Sequence, residues 1–382
     1  MVSERKKILI LIDWFYPGYK AGGPIQSCIN LVRLINQDYD IYILTTDTDH
    51  GEKSPYPGLQ CNCWQYSQQF NAKIYYASKK SIGRQQIKEQ IAAVNPDFVY
   101  LNHLFSPLFV VYPLWLKFCG KIKAEIILCP RGALYDSALA VKPYKKMPLL
   151  WVFKKMGLRK KITFQATNIR EQQAILKYFP NSKIKIADNI PDILQKPFES
   201  IEKLKGALNC VFISRIVPIK NLLFCLQVLK KVNLKIYFTI AGPIEDDSYW
   251  NSCQNVIEDL PANITVDYIG ALSNEDVAST IQKNHLFFLP TKGENFGHSI
   301  FESFLSGRPV LISNQTPWLH LKEKKIGWDL ALDDTDDFAS AITMMAQLNQ
   351  QEFDEIAFES WKFACNFIEN PTIKNNYINL FS

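Results

Sequence analysis

The sequence of 382 residues is too long for one compact core, so we expect two domains. Apolar residues make up 47% and charged residues 21% of the chain, which is the composition of an ordinary soluble globular protein. The formal net charge is only +6, and no recognition motif accompanies it, which disfavours nucleic-acid binding. No apolar segment reaches the roughly 20 residues of a membrane span. The irregularly spaced cysteines favour free thiols in a reducing compartment and no metal site.

The first half of the chain alternates between strand and helix patterns. Strands are predicted at residues 7–13, 40–45, 73–76, 97–101, 124–129 and 163–166, with one helix that buries Cys28, Ile29, Val32 and Ile35 and another at residues 82–95. This alternation predicts a parallel sheet with helices on both faces. Ligands bind beyond the carboxyl ends of the strands in such sheets, so the polar residues that follow the strands are candidates for function.

Three short segments follow predicted strands in this half. Gly22 and Gly23 would let the backbone approach a ligand closely, although a tight turn is the alternative. They do not form a GxGxxG fingerprint, which disfavours a dinucleotide cofactor. Asn102 and His103 follow the strand at 97–101 and would reach the ligand, unless the histidine is structural. Arg131 follows the strand at 124–129, where a guanidinium suits phosphate.

Residues 142–161 contain eight basic residues and no acidic one. Large apolar residues are interleaved with these charges. This pattern is typical of a helix that lies on an anionic membrane surface. The alternative is a solvated helix whose apolar side packs on the sheet.

The second half begins after residues 191–206, whose prolines and charges predict a linker. Strands are predicted at residues 209–213, 235–241, 265–269, 286–289 and 310–312, with a helix through Leu222, Leu226 and Leu229 and a helical, aromatic-rich end at residues 352–381. The chain therefore repeats the strand and helix alternation of its first half, which predicts a second α/β domain.

The strand at 286–289 leads into the most informative segment of the chain. A loop that carries Glu294 follows it, a helix starts after Gly297, and Glu302 lies about one turn into that helix on the side away from the core. A helix N-terminus favours phosphate, and carboxylates accept hydrogen bonds from sugar hydroxyls. Arg215 and Lys220 flank the turn after the strand at 209–213, where two cations could clamp a diphosphate.

These motifs resemble the retaining glycosyltransferases of the GT-B group, family GT4. The segments that carry the resemblance are Gly22-Gly23, Ser214-Arg215 with Lys220-Asn221, Ala241-Gly242-Pro243, Tyr268-Ile269-Gly270, and Glu294-Asn295-Phe296-Gly297 ending in Glu302. The stretch from Pro130 to Leu134, with the lysines after it, resembles a subgroup that builds bacterial surface polysaccharides. The resemblance covers nearly the whole chain and is most specific between residues 210 and 314.

The resemblance implies an α/β GT-B fold with two Rossmann-like domains whose parallel sheets face each other across a cleft. It implies an acceptor-binding domain at residues 1–190, a linker at 191–206 and a nucleotide-sugar-binding domain at 207–365. It also implies a last helix at 366–382 that crosses back to the first domain. The chain departs from the family pattern at Asn102, where a histidine is usual, and at Asn189-Ile190-Pro191, where an Asn-Gly turn is usual.

By position, the resemblance implies that Glu302 holds the ribose and Glu294 the donor sugar, while Arg215 and Lys220 neutralise the leaving diphosphate. The implied catalytic residues are Arg215, Lys220 and Glu294; the implied donor-binding residues are Gly22, Gly23, Gly242, Ile269, Asn295, Phe296, Gly297, His298, Ser299, Ile300 and Glu302; and Asn102, His103 and Arg131 are assigned to the acceptor or sugar. Backbone amides near His298 would meet the phosphates. The resemblance implies neither a metal nor another cofactor.

We therefore expect a cytoplasmic glycosyltransferase, peripheral on the inner face of the cytoplasmic membrane if residues 142–161 bind it. It would move a sugar from a nucleotide-sugar, with UDP indicated on family grounds, to a glycan or lipid-linked saccharide during lipopolysaccharide or capsule synthesis. The alternatives are a GT-B nucleotide-sugar epimerase and a non-catalytic nucleotide-sugar-binding protein of a polysaccharide assembly complex. The absence of GxGxxG disfavours an NAD oxidoreductase.

Overall fold

The computed structural model describes residues 5–140, 142–191 and 197–382, which form two compact units. The first unit contains the residues up to Ile190 together with Pro371–Ser382, and the second runs from Pro191 to Asn370. Each unit has its own sheet with helices packed on it. The α/β class predicted for both halves of the chain is thereby confirmed.

The first unit is built on an eight-stranded sheet. Its strands are β1 Lys7–Leu11, β2 Asp40–Thr46, β3 Trp64–Ser67, β4 Ala72–Ala77, β5 Phe98–Asn102, β6 Glu125–Cys129, β7 Thr163–Ala166 and β8 Lys183–Ile186. Its helices are α1 Gly23–Ile35, α2 Arg84–Val94, α3 Tyr112–Phe118, α4 Asp136–Ala140, α5 Pro143–Lys155 and α6 Ile169–Tyr178, joined by the last helix of the chain, α13 Pro371–Leu380. The strand order is β3-β4-β2-β1-β5-β6-β7-β8.

The strands β1 and β5 lie next to each other at the centre of this sheet. All five residues of β5 are buried, as expected for a strand covered by helices on both faces. The chain leaves β1 toward one edge of the sheet and β5 toward the other, so their carboxyl ends flank a topological switch point, where ligands bind in such sheets.

The edge strand β3 differs from the predicted parallel arrangement. It pairs antiparallel with β4, and only residues 68–71 separate the two strands. A connection this short can join antiparallel strands but cannot make the crossover that parallel strands need. The sequence analysis did not predict this strand because its four residues lack an apolar run or a clear alternation.

The second unit has a six-stranded sheet in which every strand pair is parallel. Its strands are β9 Ala207–Ile213, β10 Lys235–Ala241, β11 Ile264–Tyr268, β12 Leu286–Leu289, β13 Val310–Ser313 and β14 Gly327–Leu330. Its helices are α7 Leu222–Leu229, α8 Asp247–Glu258, α9 Asn274–Gln282, α10 His298–Leu305, α11 Thr335–Gln347 and α12 Gln350–Ile368. The order β11-β10-β9-β12-β13-β14 is that of the doubly wound dinucleotide-binding sheet, with its switch point between β9 and β12.

Of the linker predicted at residues 191–206, residues 192–196 lie outside the described residues, and residues 197–206 are held against the rest of the second unit by buried side chains. The guanidinium of the fully buried Arg308 donates to the carbonyl oxygen of Glu199 at 3.1 and 3.2 Å. The ring of His285 hydrogen-bonds the carbonyl oxygen of Glu202 at 2.8 Å. The segment has no regular secondary structure. It is nevertheless fixed in place, because the buried side chains of Arg308 and His285 need the carbonyl oxygens of Glu199 and Glu202 as hydrogen-bond partners.

The same His285 predicts a pH dependence of stability. Burial lowers its pKa from 6.5 to about 4, and its Nδ1 accepts a hydrogen bond from the Asn209 amide, so the folded state holds it neutral. Because the unfolded chain takes up this proton at higher pH, the stabilisation is complete above pH 6.5 and is lost as the pH falls toward 4. The loss should approach about 3 kcal/mol. Urea unfolding of the wild type and of His285→Gln at pH 7 and pH 4.5 tests this; equal pH dependences would contradict it.

Candidate active site

The loop after β12 is anchored on both sides to neighbouring strand ends. The Lys292 amide donates to the carbonyl oxygen of Ile219 at 2.8 Å, in the turn after β9. The side chain of Asn221 donates to the carbonyl oxygen of Pro290 at 3.0 Å, and Ser313 at the end of β13 donates to the carbonyl oxygen of Thr291. These bonds hold the loop at the switch point of the second sheet.

Gly297 ends this loop and is the N-cap of α10. Its φ is +78°, and a Cβ there would lie 2.7 Å from Cδ1 of Ile300 and 3.1 Å from Cγ of Glu294. Glycine is therefore required both by the backbone conformation and by the space available. With glycine at this position, α10 can start near the carboxyl end of β12. The free backbone amides of a helix N-terminus favour the binding of an anion.

Lys220 and Glu294 form an ion pair that joins the turn after β9 to the loop after β12. The Lys220 ammonium lies 2.5 Å from a Glu294 carboxylate oxygen, and the two side chains are 13% and 17% exposed. Burial raises the pKa of the Glu294 carboxyl, but the charge and hydrogen bond of Lys220 outweigh it and hold this pKa below its usual value. The sequence predicts a role for each residue but not their contact.

Arg215 also has a carboxylate partner. Its Nη1 donates to Oε2 of Glu245 at 2.8 Å, and the Arg215 and Glu245 side chains are 42% and 29% exposed. Glu245 follows β10 in the loop that starts at Gly242. The sequence analysis missed Glu245, because only the alignment of β9 with β10 brings it beside Arg215.

Gly242 has a packing role in the structure, although the sequence assigns it to donor binding. Its φ is +140°, and a Cβ would lie 1.9 Å from the carbonyl oxygen of Ser214. The Gly242 amide donates a hydrogen bond to the carbonyl oxygen of Gly270, and the Gly242 carbonyl oxygen accepts one from the Tyr268 hydroxyl. The loops after β9, β10 and β11 therefore meet at this residue.

The remaining predicted donor residues differ in accessibility. Ile269 follows β11 and is 41% exposed, so its side chain is available to a ligand. Phe296 is buried and packs against Trp318 with a ring-centroid distance of 5.1 Å, so its side chain belongs to the core. Asn295, His298, Ser299 and Glu302 are half-buried, and Ile300 is buried.

In the first unit, Gly22 and Gly23 follow β1, Asn102 ends β5 and His103 comes directly after it, so these residues flank the switch point of that sheet. Both glycines are exposed. Gly22 has φ +66°, and a Cβ there would have no atom within 4 Å. The backbone at this turn is therefore open to an approaching molecule, as the ligand-binding prediction requires.

Arg131 donates hydrogen bonds to side chains of the first unit, and its predicted phosphate contact stays a prediction. Its guanidinium donates to Oδ1 of Asn102 at 2.9 Å, to the Tyr100 hydroxyl at 2.9 Å and to Oδ1 of Asn189. The Asn102 amide in turn donates to the carbonyl oxygen of Pro24 at 3.4 Å. Arg131 thus cross-links the ends of β5 and β6, and Asn102 extends this network to the turn after β1.

His103 is held as a neutral donor. Burial and, to a smaller extent, the charge of Lys146 together lower its pKa to about 4. Its Nδ1 accepts a hydrogen bond from the Phe105 amide at 3.3 Å. Because Nδ1 is the acceptor, the proton of the neutral ring is on Nε2. The residue has φ +77°, a conformation that non-glycine residues rarely adopt.

Asp13 is a further polar residue at the same switch point. It directly follows the apolar run of β1, and Oδ1 accepts a hydrogen bond from the Ser106 hydroxyl at 2.8 Å. Burial raises the pKa of this carboxyl. The sequence analysis treats Asp13 only as the end of a strand, although its position after a central strand was a usable signal.

The basic segment forms α5 and a short 3-10 turn at Leu158–Lys160. Leu150 and Phe153 are buried, whereas Tyr144, Met147 and Trp151 are 69%, 46% and 62% exposed. The exposed three are spaced by three and four residues, so they share one face of the helix. The alternative of a helix whose apolar side is packed therefore explains the buried Leu150 and Phe153, but not the exposed Tyr144, Met147 and Trp151.

Within the ranges that the structure describes, no group of three or more His, Cys, Asp or Glu residues could hold a metal ion. All nine cysteines are free. No helix of the described residues has the length and apolar character needed to cross a membrane.

Residues 195–355 match the family model "Glycosyl transferases group 1". A curated relative, a 41.2 kDa protein in the cps region of Klebsiella pneumoniae, is 23% identical over 226 residues. That alignment spans 57% of this chain and 60% of the relative, so it covers less than two thirds of the relative's length.

Solved structures match the whole chain. Anabaena Alr3699/HepE in complex with UDP and glucose gives a TM-score of 0.70 at 13% identity and covers 98% of both chains. Sucrose-phosphate synthase from Thermosynechococcus elongatus gives 0.69 at 13% identity, covering 99% of this chain and 98% of the other. WaaG, a glycosyltransferase involved in lipopolysaccharide biosynthesis, gives 0.66 at 10% identity, covering 98% and 99%. These likenesses establish the fold.

Proposed function

We propose that this chain, which has the GT-B fold and whose residues 195–355 match the glycosyl transferases group 1 model, is a glycosyltransferase that transfers a sugar from a UDP-sugar to a saccharide acceptor during synthesis of a surface polysaccharide. The Lys220–Glu294 pair at the switch point of the second sheet carries this proposal. UDP and glucose bound to HepE support the donor class. The lipopolysaccharide role of WaaG and the cps-region relative support the acceptor class.

The proposed donor site uses the residues at the carboxyl edge of the second sheet. Arg215 and Lys220 neutralise the diphosphate, and the amides at the start of α10 bind its oxygens. Glu294 accepts hydrogen bonds from hydroxyl groups of the donor sugar, and Glu302 accepts them from the ribose hydroxyls. The exposed side chain of Ile269 contacts the base.

We assign a retaining reaction of family GT4 type to this site, with no metal and no other cofactor. The acceptor hydroxyl attacks the anomeric carbon on the face from which the diphosphate departs. The bond from that carbon to the phosphate oxygen breaks, the new glycosidic bond forms, and the acceptor proton moves to the departing oxygen. The main task of the protein is therefore to stabilise negative charge on the diphosphate.

A thermal-shift experiment tests the donor assignment directly. The protein, without added metal, is heated with UDP, GDP, ADP and their common sugar conjugates. A ligand at 100 times its dissociation constant stabilises a protein by about 2.7 kcal/mol, so UDP and one UDP-sugar should raise the melting temperature measurably. Glu302→Ala should lose this shift, since a lost charged hydrogen bond costs about 1.5–3 kcal/mol. No shift with any uridine nucleotide would contradict the proposal.

Product analysis separates transfer from the alternatives. A transferase releases UDP and extends an acceptor, an epimerase returns an isomeric nucleotide-sugar, and a binding protein leaves the donor unchanged. Incubating the stabilising UDP-sugar with the protein and a pool of saccharide acceptors therefore decides among them by chromatography.

We also propose that α5 binds an anionic membrane surface, which would bring the protein to a lipid-linked acceptor. Its exposed tyrosine and tryptophan suit the interfacial region, and the surrounding lysines suit anionic headgroups. Each lysine near such a surface contributes about 1 kcal/mol, so Lys145→Gln, Lys154→Gln and Lys155→Gln together should abolish co-sedimentation with anionic vesicles.

The matched control replaces three exposed lysines of the second unit, Lys205, Lys283 and Lys322, with glutamine. This variant has the same net charge as the α5 variant and should still pellet with the vesicles. Equal loss of pelleting in both variants would indicate a response to net charge alone, and a wild type that stays in the supernatant would contradict membrane binding.

A further inference from the structure

The loops after β9 and β10 are joined into one unit. The Ile216 amide donates to the carbonyl oxygen of Pro243 at 2.9 Å, and Ile216 and Ile244 form an isolated parallel bridge. Gly242 lies so close to Ser214 that no side chain fits between them. The position of one loop therefore determines the position of the other, and Glu245 follows directly after this joined region.

Glu245 is the acidic residue of its loop that faces Arg215. Its carboxylate accepts from Nη1 of Arg215 at 2.8 Å, whereas the next residue, Asp246, accepts from the Tyr249 amide and caps α8. Asp247 is exposed in the first turn of that helix. The three acidic residues thus have separate positions, and one of them is directed at the cation assigned to the leaving group.

We propose that Glu245 is a positioning residue that orients the Arg215 guanidinium toward the diphosphate of the donor; this rests on the proposed function, in which Arg215 neutralises that diphosphate. Arginine carries five N–H donors in a planar fork, and the contact with Glu245 uses one of them. The remaining donors can bind phosphate oxygens in the fixed geometry that paired N–H groups provide.

The contact between Glu245 and Arg215 orients the guanidinium and adds little to the stability of the fold. Ion pairs between partly exposed side chains contribute little to folding. A long arginine side chain nevertheless samples many rotamers, and holding it in one of them prepares the charge before the reaction starts. Without Glu245, Arg215 would still reach the diphosphate but would be misplaced during bond cleavage.

The test compares kcat and donor KM for Glu245→Ala, Arg215→Ala and the double variant. Glu245→Ala should lower kcat about 10-fold, with donor KM changed less than about twofold and a melting temperature within about 2 °C of wild type. Arg215→Ala should lower kcat about 100-fold. The double variant should match Arg215→Ala within about twofold, because Glu245 acts through Arg215. Glu245→Gln, which keeps an acceptor oxygen, should recover part of the loss, and Asp247→Ala should have wild-type kcat.

The outcomes separate this inference from the proposed function. A normal kcat in Glu245→Ala beside a strongly impaired Arg215→Ala overturns the positioning role alone, as does a further 10-fold loss in the double variant. A normal kcat in Arg215→Ala overturns the leaving-group assignment and the positioning role with it. A wild type that neither binds UDP nor turns over any UDP-sugar overturns the proposed function first, and the inference falls as its consequence.

Discussion

Lys220→Met is expected to lower turnover of the UDP-sugar by about 100- to 1000-fold, the range for losing one group that stabilises transition-state charge. Methionine keeps much of the length and apolar volume of the lysine side chain but removes the ammonium. The effect should be mainly on kcat, because charge on the diphosphate grows as the bond to the sugar breaks. Steady-state kinetics with a saturating acceptor measures it, and a loss smaller than about tenfold would contradict the role of Lys220.

Lys220→Met should also change the stability of the protein, because it leaves Glu294 without its ion-pair partner. Without Lys220, the burial that raises the pKa of the Glu294 carboxyl is opposed only by the Asn295 amide and by His298, so this pKa should rise. The unpaired carboxylate should destabilise the protein by about 1–3 kcal/mol at pH 7. This deficit should shrink as the pH falls, because the carboxyl then becomes protonated in the folded state. Lys220→Met with Glu294→Gln should recover stability but not activity, which separates the structural effect from the catalytic one.

Gly242→Ala is expected to have the largest effect on folding. A methyl group would lie 1.9 Å from the carbonyl oxygen of Ser214, and φ is +140°, so the variant must move the backbone of the loop after β9 or β10. The strained backbone alone costs about 1–3 kcal/mol, and the steric clash adds to it. We expect urea unfolding to show a loss of more than about 3 kcal/mol, or an insoluble protein.

Gly270→Ala provides the control for the steric part of this loss. Gly270 lies in the loop after the neighbouring strand β11 and also has a positive φ, +79°, but a Cβ there meets no atom within 4 Å. Only the left-handed backbone penalty of about 1–2 kcal/mol applies. If the two variants lose equal stability, the contact between Gly242 and Ser214 does not determine the fold of these loops.

The features that could be predicted from the sequence are local. The strand β12, the break at Gly297 and the apolar stripe of α10 occupy one continuous segment, and strand order then brings Arg215, Lys220 and Glu294 to one edge of the sheet. Pair contacts were not predictable, because Glu245 meets Arg215 through the alignment of two strands about thirty residues apart.

Arg131 shows that the position of a charged side chain is easier to predict than its partners. A cation after a parallel strand suggests a phosphate ligand, yet Tyr100, Asn102 and Asn189 supply its hydrogen bonds inside the protein. Residue type and position determine that a guanidinium reaches this edge of the sheet. Only the surrounding side chains determine whether it remains available to a ligand, and those come from distant parts of the chain.

The division of the first unit between residues up to Ile190 and Pro371–Ser382 has a consequence for synthesis on the ribosome. The second unit is continuous in sequence, so all its residues emerge before α13 does. Until then the first unit lacks the Tyr377 hydroxyl that accepts from Gln165 and the Phe381 ring that packs near Phe98. The nascent chain should therefore complete its units in reverse order, with the C-terminal unit mature first.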